Sequence, residues 1–400
     1  MKLFRRTTGK ILKHKDQSVL IGDYDPSAHS FRKVSLLDAV HLPIGVHASN
    51  KKVDLDSLNS WLNARGIPNY RVDLDRLIKR LEIEDELELL EEENALSVSD
   101  NYWLTDQDSN ETYAEKNFFL RPFDMNGFGA AMFRTNRFIP EETAKHTPNN
   151  TLGGYHRKAW MKRGDQLYLY KGSTGFHQQE CINEWIASVI AEKLGFYAVP
   201  YEVSVYEGQL VSVCQNFLNP DLDLVSAGFA MHSDGKKQGG SCERLVQVMQ
   251  AHGITDAENS MDELLLMDYL MMNTDRHAQN IGILCDANTN QWIAMAPIFD
   301  TGTALGCFVK TSDLEHYENR KKARFLDRRN FAFEDLLEQI KDPGRFDLSV
   351  LDGIEQLLAD KLYLYRSLTG ISNERIEALC RLLRRRIDRV RHFQQKQHSD

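Results

Sequence analysis

The chain has 400 residues, 42% of them hydrophobic and 27% charged, with a formal net charge of −9. That is the composition of an ordinary globular protein, long enough for two or three domains with cores of their own. The acidic balance gives no bulk attraction to nucleic acid or to an anionic membrane, and no apolar run approaches the roughly 20 residues of a membrane span.

The first residues, MKLFRRTTGKILKHK, are basic, but no apolar segment follows them, so a secretory signal is not expected. The six cysteines are scattered without C-x-x-C spacing, and several sit in apolar runs, as Cys285 does in IGILC. They read as buried free thiols of a reducing cytoplasm, and a zinc site is not expected.

Residues 1–145 mix short strand-like and helical segments. In DLDSLNSWLNARGI, Leu55, Leu58, Trp61 and Leu62 share helical spacing, and Gly66 with Pro68 marks the end. In LEIEDELELLEEEN, residues 81–94, Ile83, Leu87 and Leu90 predict one face of a helix. Its carboxylates read as solvated surface, because the glycine-punctuated spacing of a calcium loop is absent. SDNYWLTDQDSNETYAEKNFF, residues 99–119, reads as a long loop pinned by Tyr102, Trp103, Phe118 and Phe119, with a peptide-docking surface as the alternative. RTNRFIPEETAKHTPNN, residues 134–150, has the composition of a linker, which places a domain boundary there.

From residue 151 the pattern changes. TLGGYHRKAWMKRGDQLYLYKG predicts a glycine turn, a strand over Arg157–Met161, a tight turn at Arg163-Gly164-Asp165 and a strand over Leu167–Tyr170. Ile182, Trp185, Ile186, Val189, Ile190 and Leu194 then trace an amphipathic helix stopped by Gly195. YEVSVYEGQLVSVCQNF predicts a hairpin turning at Glu207-Gly208, which completes a small α+β lobe. Beyond about residue 243 the chain reads as mainly helical. In NSMDELLLMDYLMMN, Ser260 and Glu263 have capping-box spacing, so a helix is expected from Ser260 to about Asn273. NIGILC and QWIAMAPIF predict two strands joined by DANTN. The tail is helical again from Phe325 to Phe393 and ends in RLLRRRIDRVRHF, a basic surface on an acidic protein.

A hairpin returns the chain to its start, so Asn280, before its first strand, and Asp300, after its second, should meet at its base. Asp275 precedes Asn280 by five positions, and Asp275-Arg276-His277-Ala278-Gln279-Asn280 has the D-x-x-x-x-N spacing of phosphoryl transfer. In that chemistry the Asp orients the hydroxyl nucleophile and accepts its proton, while the Asn and a later Asp hold magnesium through hard oxygen ligands. IFDTGTALG supplies the later Asp, Asp300. In the small lobe Gly153 and Gly154 let backbone amides approach phosphate oxygens. Lys171 ends a strand where a phosphate-pairing lysine would sit, and Glu184 on the next helix would hold it, with Glu180 one turn earlier as a competitor. Singly, each of these is most simply a turn, a surface lysine, a helix-surface acid or a chance spacing. Their order gives them weight. His277 joins the catalytic candidates, its alternative being to tie the loop to the core.

NTDRHAQN followed by APIFDTGTAL resembles the catalytic and metal-binding motifs of HipA-type bacterial serine/threonine kinases. NEWIASVIAEKLGFYAVPYEV resembles the family's helix with its Asn-Glu pair, here Asn183-Glu184, TLGGYHRKA its phosphate loop, and YLYKG the strand with its ATP lysine. VCQNF stands where the family has its adenine-contacting hinge, which makes Gln215 and Phe217 hinge candidates through their backbone groups. The resemblance covers residues 150–310 well and the helical remainder loosely. It implies an α+β, bilobal protein-kinase-like fold, with a small β-rich N-lobe over residues 146–218 and a mainly helical C-lobe over 219–400. A small α/β N-terminal domain of unassigned function, residues 1–145, precedes them, and the family's usual N-terminal subdomain is not evident in it.

The resemblance further implies ATP and Mg2+ as cofactors and a protein substrate of the kind found among translation components. It implies a helix-turn-helix antitoxin-like partner, a cytoplasmic location and no membrane contact. Thr151 occupies the place of the hydroxyl residue that family members autophosphorylate, and a phosphate there would repel ATP. The D-R-H-x-x-N loop is also similar to that of phosphoinositide kinases, so a lipid kinase is one alternative. A non-catalytic nucleotide-sensing or DNA-binding regulator, drawing on the arginine-rich tail, is the other.

Overall fold

Alternating apolar residues build the first sheet. The computed structural model describes residues 7–71, 74, 78–79, 85–121, 133, 147–175, 177–233, 241–317, 322–326 and 328–397. Strands β1 (Thr8–His14), β2 (Gln17–Asp25) and β3 (Ser30–Leu36) form an antiparallel meander, and helix α1 (Leu55–Asn63) packs on it through Leu58, Trp61 and Leu62. Asp54 caps α1 by accepting the Asp56 N–H at 3.2 Å. Helix α2 (Leu87–Glu92) buries Leu89 and Leu90 and is shorter than the expected helix, of which residues 81–84 lie outside the described residues.

Residues 99–119, expected as a loop, instead supply β4 (Tyr102–Asp106) and the short helix α3 (Tyr113–Lys116). Strand β4 pairs antiparallel with β1, giving the sheet order β3-β2-β1-β4. Its period is hidden because both faces are buried. Tyr102 and Leu104 join one apolar cluster and Trp103 another, and the Trp103 indole donates to the Lys15 carbonyl at 2.7 Å. Of the expected linker, residues 134–146 lie outside the described residues.

The second sheet has the order β5-β6-β8-β7, all antiparallel, from β5 (Lys158–Arg163), β6 (Gln166–Gly172), β7 (Glu202–Tyr206) and β8 (Gln209–Gln215). Glu207 and Gly208 take φ of +49° and +74°, the two left-handed positions that a tight hairpin demands. Between the hairpins runs α4 (Gln179–Leu194), which Gly195 ends in the left-handed conformation, donating its N–H to Ala191. Apolar residues from the chain before 145, among them Ile67, Leu89 and Phe133, pack with Ala159, Val211 and Val213 of this sheet.

The largest core gathers α4, α5 (Cys242–Ala251), α6 (Ala257–Met271), α7 (Phe333–Glu338), α8 (Ile354–Leu364) and α9 (Asn373–Gln397). Strands β9 (Leu222–Ser226), β10 (Gly282–Asp286) and β11 (Trp292–Met295) form a three-stranded antiparallel sheet beside it. Helix α6 begins at Ala257, not at Ser260. The Ser260 N–H already donates to the Asp256 carbonyl at 3.0 Å, and burial of Ala257 carries the helix one turn further back than the capping-box spacing suggested. The tail helix α9 is likewise not a free basic surface. Its apolar face lies in the core, Arg386 is fully buried with its guanidinium 3.5 Å from the Tyr269 ring centroid, and Arg384 and Arg391 pair with Glu355 and Asp352. The six cysteines are free thiols, five of them buried. Among the described residues no helix is long and apolar enough to cross a membrane.

The first sheet is locked to β9 by a buried polar cluster. Asp223 of β9 takes the His14 imidazole at 2.6 Å on one oxygen, and the Asn101 N–H at 2.9 Å and side-chain amide at 2.6 Å on the other. Tyr113 donates to the Asn101 side-chain oxygen Oδ1, and Tyr102 stacks on His14 with centroids 4.2 Å apart. Replacing Asp223 by Ala would strand these donors away from water and should cost at least about 2 kcal/mol. Urea denaturation followed by tryptophan fluorescence checks this; an unchanged midpoint would show that the cluster is not an interlock.

Candidate active site

Three segments meet at one mouth: the β5–β6 hairpin, the loop after α6 and the loop after β11. The two-residue turn of the hairpin sets Lys158 of β5 directly opposite Lys171 of β6. Lys171 is 5% exposed, and its ammonium lies 2.5 Å from the Glu184 carboxylate of α4 and bonds Asp300 as well. Ser212 of β8 donates to the second Glu184 oxygen. Glu180 does not compete for the lysine, because it accepts the N–H groups of Thr174 at 2.8 Å and Gly175 at 2.7 Å and so caps that loop.

Burial disfavours the Lys171 ammonium, but Asp300 and Glu184 outweigh it and hold its pKa above the ordinary lysine value. Burial would likewise raise Asp300, yet Lys171 and then Lys158 keep its carboxyl well below the usual range. Glu184 moves the other way, pushed up by burial against the pull of Lys171. Lys171 and Asp300 are thus the firmly ionised pair.

The polar loop begins where α6 ends. Met272 turns left-handed, with φ +48°, and the Asn273 N–H reaches back to the Asp268 carbonyl at 3.0 Å. Arg276, completely buried, then organises everything that follows. It donates to both Asp268 oxygens at 2.9 Å, to the carbonyls of Asn280 at 2.8 Å and Phe299 at 2.5 Å, and to the Thr301 hydroxyl at 3.0 Å. Through Asn280 and Phe299 it ties together the two ends of the β10–β11 hairpin. Arg276 therefore supports the loop and is not free to touch a phosphate.

Asp275 stays at the surface of this arrangement, its side chain 44% exposed. Its carbonyl accepts the Asn280 side-chain amide at 3.1 Å and the His277 N–H at 2.9 Å. His277 accepts the Gln279 N–H at 3.3 Å, and its other ring nitrogen stands 3.9 Å from the Asp275 carboxylate. Burial raises the Asp275 pKa and lowers that of His277, while Arg324, 3.8 Å from Asp275, pulls the carboxyl back down. Asp300 has φ +57°, and the small residues after it allow α4 to approach. A Cβ on Gly302 would lie 3.2 Å from the Glu180 carbonyl and from Glu184 Cγ. Asn183 donates to the carbonyls of Gly302 at 2.9 Å and Ala304 at 2.7 Å, which pins this loop to α4.

Of the glycine-turn residues, Gly153 is exposed, with open space where a Cβ would be, and Gly154 has φ +96°. Thr151 is buried in the 3-10 turn Pro148–Thr151, its hydroxyl directed at the Pro148 carbonyl at 3.5 Å. Gln215 ends β8 opposite Tyr168, with its side chain on Gln166 at 2.8 Å, and Phe217 packs with Phe299 and Leu218 where the chain leaves the lobe. The sequence left Arg276 open between supporting the loop and touching phosphate, and did not single out Lys158 or His156. His156 is buried and neutral, its pKa pushed down to about 3 by burial and by Lys171. Hairpin register carried the one available signal, for Lys158, since a tight turn at Gly164-Asp165 sets it across from Lys171.

The profile of the HipA-like C-terminal domain matches residues 150–350. No curated protein matches the chain. Among solved structures, HipA of Shewanella oneidensis MR-1, from a toxin–antitoxin complex with HipB and operator DNA, is similar with a TM-score of 0.53. It is 13% identical, over 96% of this chain and 99% of that one. The Helicobacter pylori proinflammatory kinase CtkA is 18% identical with a TM-score of 0.46, over 61% of this chain and 93% of that one. The likeness to HipA shows a bilobal, kinase-like α+β fold, and it takes in the N-terminal region, where the sequence showed no familiar subdomain.

Arg276→Met should cost about 3–5 kcal/mol, because it leaves Asp268 charged and buried without its partner. Guanidinium denaturation measures the loss, and a cost near zero would remove Arg276 as the support of the loop.

Proposed function

We propose, from the premise that the chain belongs to the HipA-like C-terminal domain family, that it is an ATP- and Mg2+-dependent serine/threonine protein kinase. The observation that carries this reading is the Lys171 ammonium held at once by Glu184 of α4 and by Asp300. That three-way contact is the arrangement in which a lysine is positioned to meet nucleotide phosphates.

In this reading Lys171 meets the phosphates, Glu184 keeps it in place, and the backbone at Gly153 and Gly154 lies over them. The backbone of Gln215 and Phe217 faces the adenine. Asn280 and Asp300 are the residues that would hold magnesium. Their hard oxygens fit the ion, and neither Asn280 Oδ1 nor Asp300 Oδ2 accepts a hydrogen bond among the described residues. When bound, magnesium supplies neutralisation of phosphate charge. The substrate hydroxyl hydrogen-bonds to Asp275 and yields its proton to that carboxylate as its oxygen takes the γ-phosphoryl group. His277 braces the loop beside this base, and Lys171 meets the charge left on the departing phosphate.

The target is a protein hydroxyl, with a translation component as the family-type substrate. HipA in the neighbouring structure is bound to HipB and operator DNA, which supports an antitoxin-like partner and a cytoplasmic, toxin-like or regulatory role for this chain. Thr151 is proposed as an autophosphorylation site, and because it is buried its turn must open first.

Asp275→Asn should lower phosphotransfer about 10²- to 10⁴-fold, and Asp300→Asn by at least as much, with circular dichroism unchanged. Transfer from γ-labelled ATP into lysate proteins measures this, and wild-type activity in both variants would refute the assignment. After incubation with ATP, mass spectrometry should find phosphate on Thr151 in wild type and none in Asp275→Asn. A Thr151 peptide that is never modified removes that part of the reading.

A further inference from the structure

We propose that Arg324 selects the substrate by binding a carboxylate close to the acceptor hydroxyl, so that acidic peptide segments are preferred. The inference rests on the kinase reading and deepens it.

RKKARFLDRR, residues 320–329, holds six basic residues and one acid in a chain whose formal net charge is −9. Lys322 and Arg324 are the basic members whose side chains the structure describes. Strand β12 (Ala323–Phe325) pairs antiparallel with β13 (Arg328–Phe331) on one edge and lies along the catalytic loop on the other. Phe325 forms a parallel bridge with Arg276. The Arg324 N–H donates to the Thr274 carbonyl at 3.4 Å, and the Leu326 N–H to the Arg276 carbonyl at 2.8 Å. These two bonds bracket Asp275. Ala323 and Phe325 are buried, which turns Lys322 and Arg324 to the open side of the strand.

There the Arg324 guanidinium stands 3.8 Å from one oxygen of Asp275, while His277 stands 3.9 Å from the other. Both separations lie beyond hydrogen-bonding range. The Arg324 side chain makes no hydrogen bond with a described residue, and its Nε is shut off from water without a partner. Arg276 is the contrast, since it clasps Asp268 through two N–H groups at 2.9 Å. An arginine kept to brace Asp275 would take the same bidentate geometry.

What Arg324 offers instead is an unfilled planar fork, 38% exposed, beside the base that takes the acceptor proton. A carboxylate matches that fork. An extended peptide advances about 3.3 Å per residue, so with the hydroxyl on Asp275 the carboxylate in reach belongs one or two positions away. Asp275 is the acid facing Arg324, and at 44% exposure it draws off only part of the charge. The exposed Lys322 adds to the attraction along the same face. An anionic lipid headgroup would meet the same cations, but the net negative charge of the chain works against a membrane surface.

Phosphorylation of a peptide array by the full-length protein with Mg-ATP tests the assignment. Each peptide carries one serine, with Asp, Asn or Lys placed one or two positions from it. The wild type should use Asp peptides about 10-fold better than Asn peptides in kcat/KM, the worth of one part-exposed charge-assisted hydrogen bond. Arg324→Gln should bring that ratio near one, and Arg324→Glu should turn the preference to Lys. Lys322→Glu, at an exposed position, should lower the ratio in the same direction and serves if the Arg324 variants do not fold. An arginine that only braces Asp275 would slow all peptides alike and leave the ratio in place, which overturns the proposal. Labelling of phosphoinositide vesicles but of no peptide overturns it too, in favour of a headgroup. A wild type that labels lysate proteins without any acid preference overturns it and leaves the kinase reading standing. If the wild type transfers phosphate to nothing, both fall.

Discussion

The organisation of the site depends on a single guanidinium. Arg276 has five N–H donors, and each is accounted for: two on Asp268, one each on the Asn280 and Phe299 carbonyls, and one on the Thr301 hydroxyl. A buried ion pair is usually weak evidence for stability, because desolvation offsets the attraction. Here the geometry is bidentate and the remaining donors are all satisfied, so the desolvation cost is met by hydrogen bonds that no apolar residue could replace. What they secure is position. One planar group sets the end of α6, the entry to β10 and the exit from β11, and with them the places of Asp275, Asn280 and Asp300.

Helix α4 performs the matching service between the lobes. Glu184 reaches the sheet through Lys171 and Ser212, while Asn183, its neighbour, fastens the loop after Asp300. Gln179, at the start of the same helix, donates to the Leu305 carbonyl at 3.1 Å and accepts from Arg375 of α9 at 2.8 Å. Two consecutive turns of one helix therefore hold Lys171, the loop after Asp300 and the tail helix. The low amphipathicity of α4 follows from this, since Glu180, Asn183 and Glu184 are buried alongside Ile182 and Ile186.

Much of this was legible in the sequence where local chemistry is decisive. The hairpin at Glu207-Gly208, the stop at Gly195 and the D-x-x-x-x-N spacing each depend on residues adjacent in the chain. Misreadings arose where tertiary burial overrode local signals. Ser260 looked like a cap because its spacing with Glu263 is right, but a buried Ala257 extended the helix past it. The stretch around Trp103 looked like loop because a strand buried on both faces loses its alternation. Arg386 looked like surface because an arginine in a basic run gives no sign that an aromatic ring lies beneath it. Arg276 stayed open between supporting the loop and touching phosphate, since its acceptors, Asp268, Phe299 and Thr301 among them, lie up to 25 positions away in the chain.

The cluster around Asp223 bears on how such a chain can change over evolutionary time. Its donors come from residues 14 and 101 and its acceptor from residue 223, so more than a hundred residues separate the two sides of one hydrogen-bond network. Recombination that exchanged the first sheet for an unrelated one would leave a carboxylate buried with nothing to accept. The two regions are thus bound to descend together, and divergence on one face of that contact has to be answered on the other.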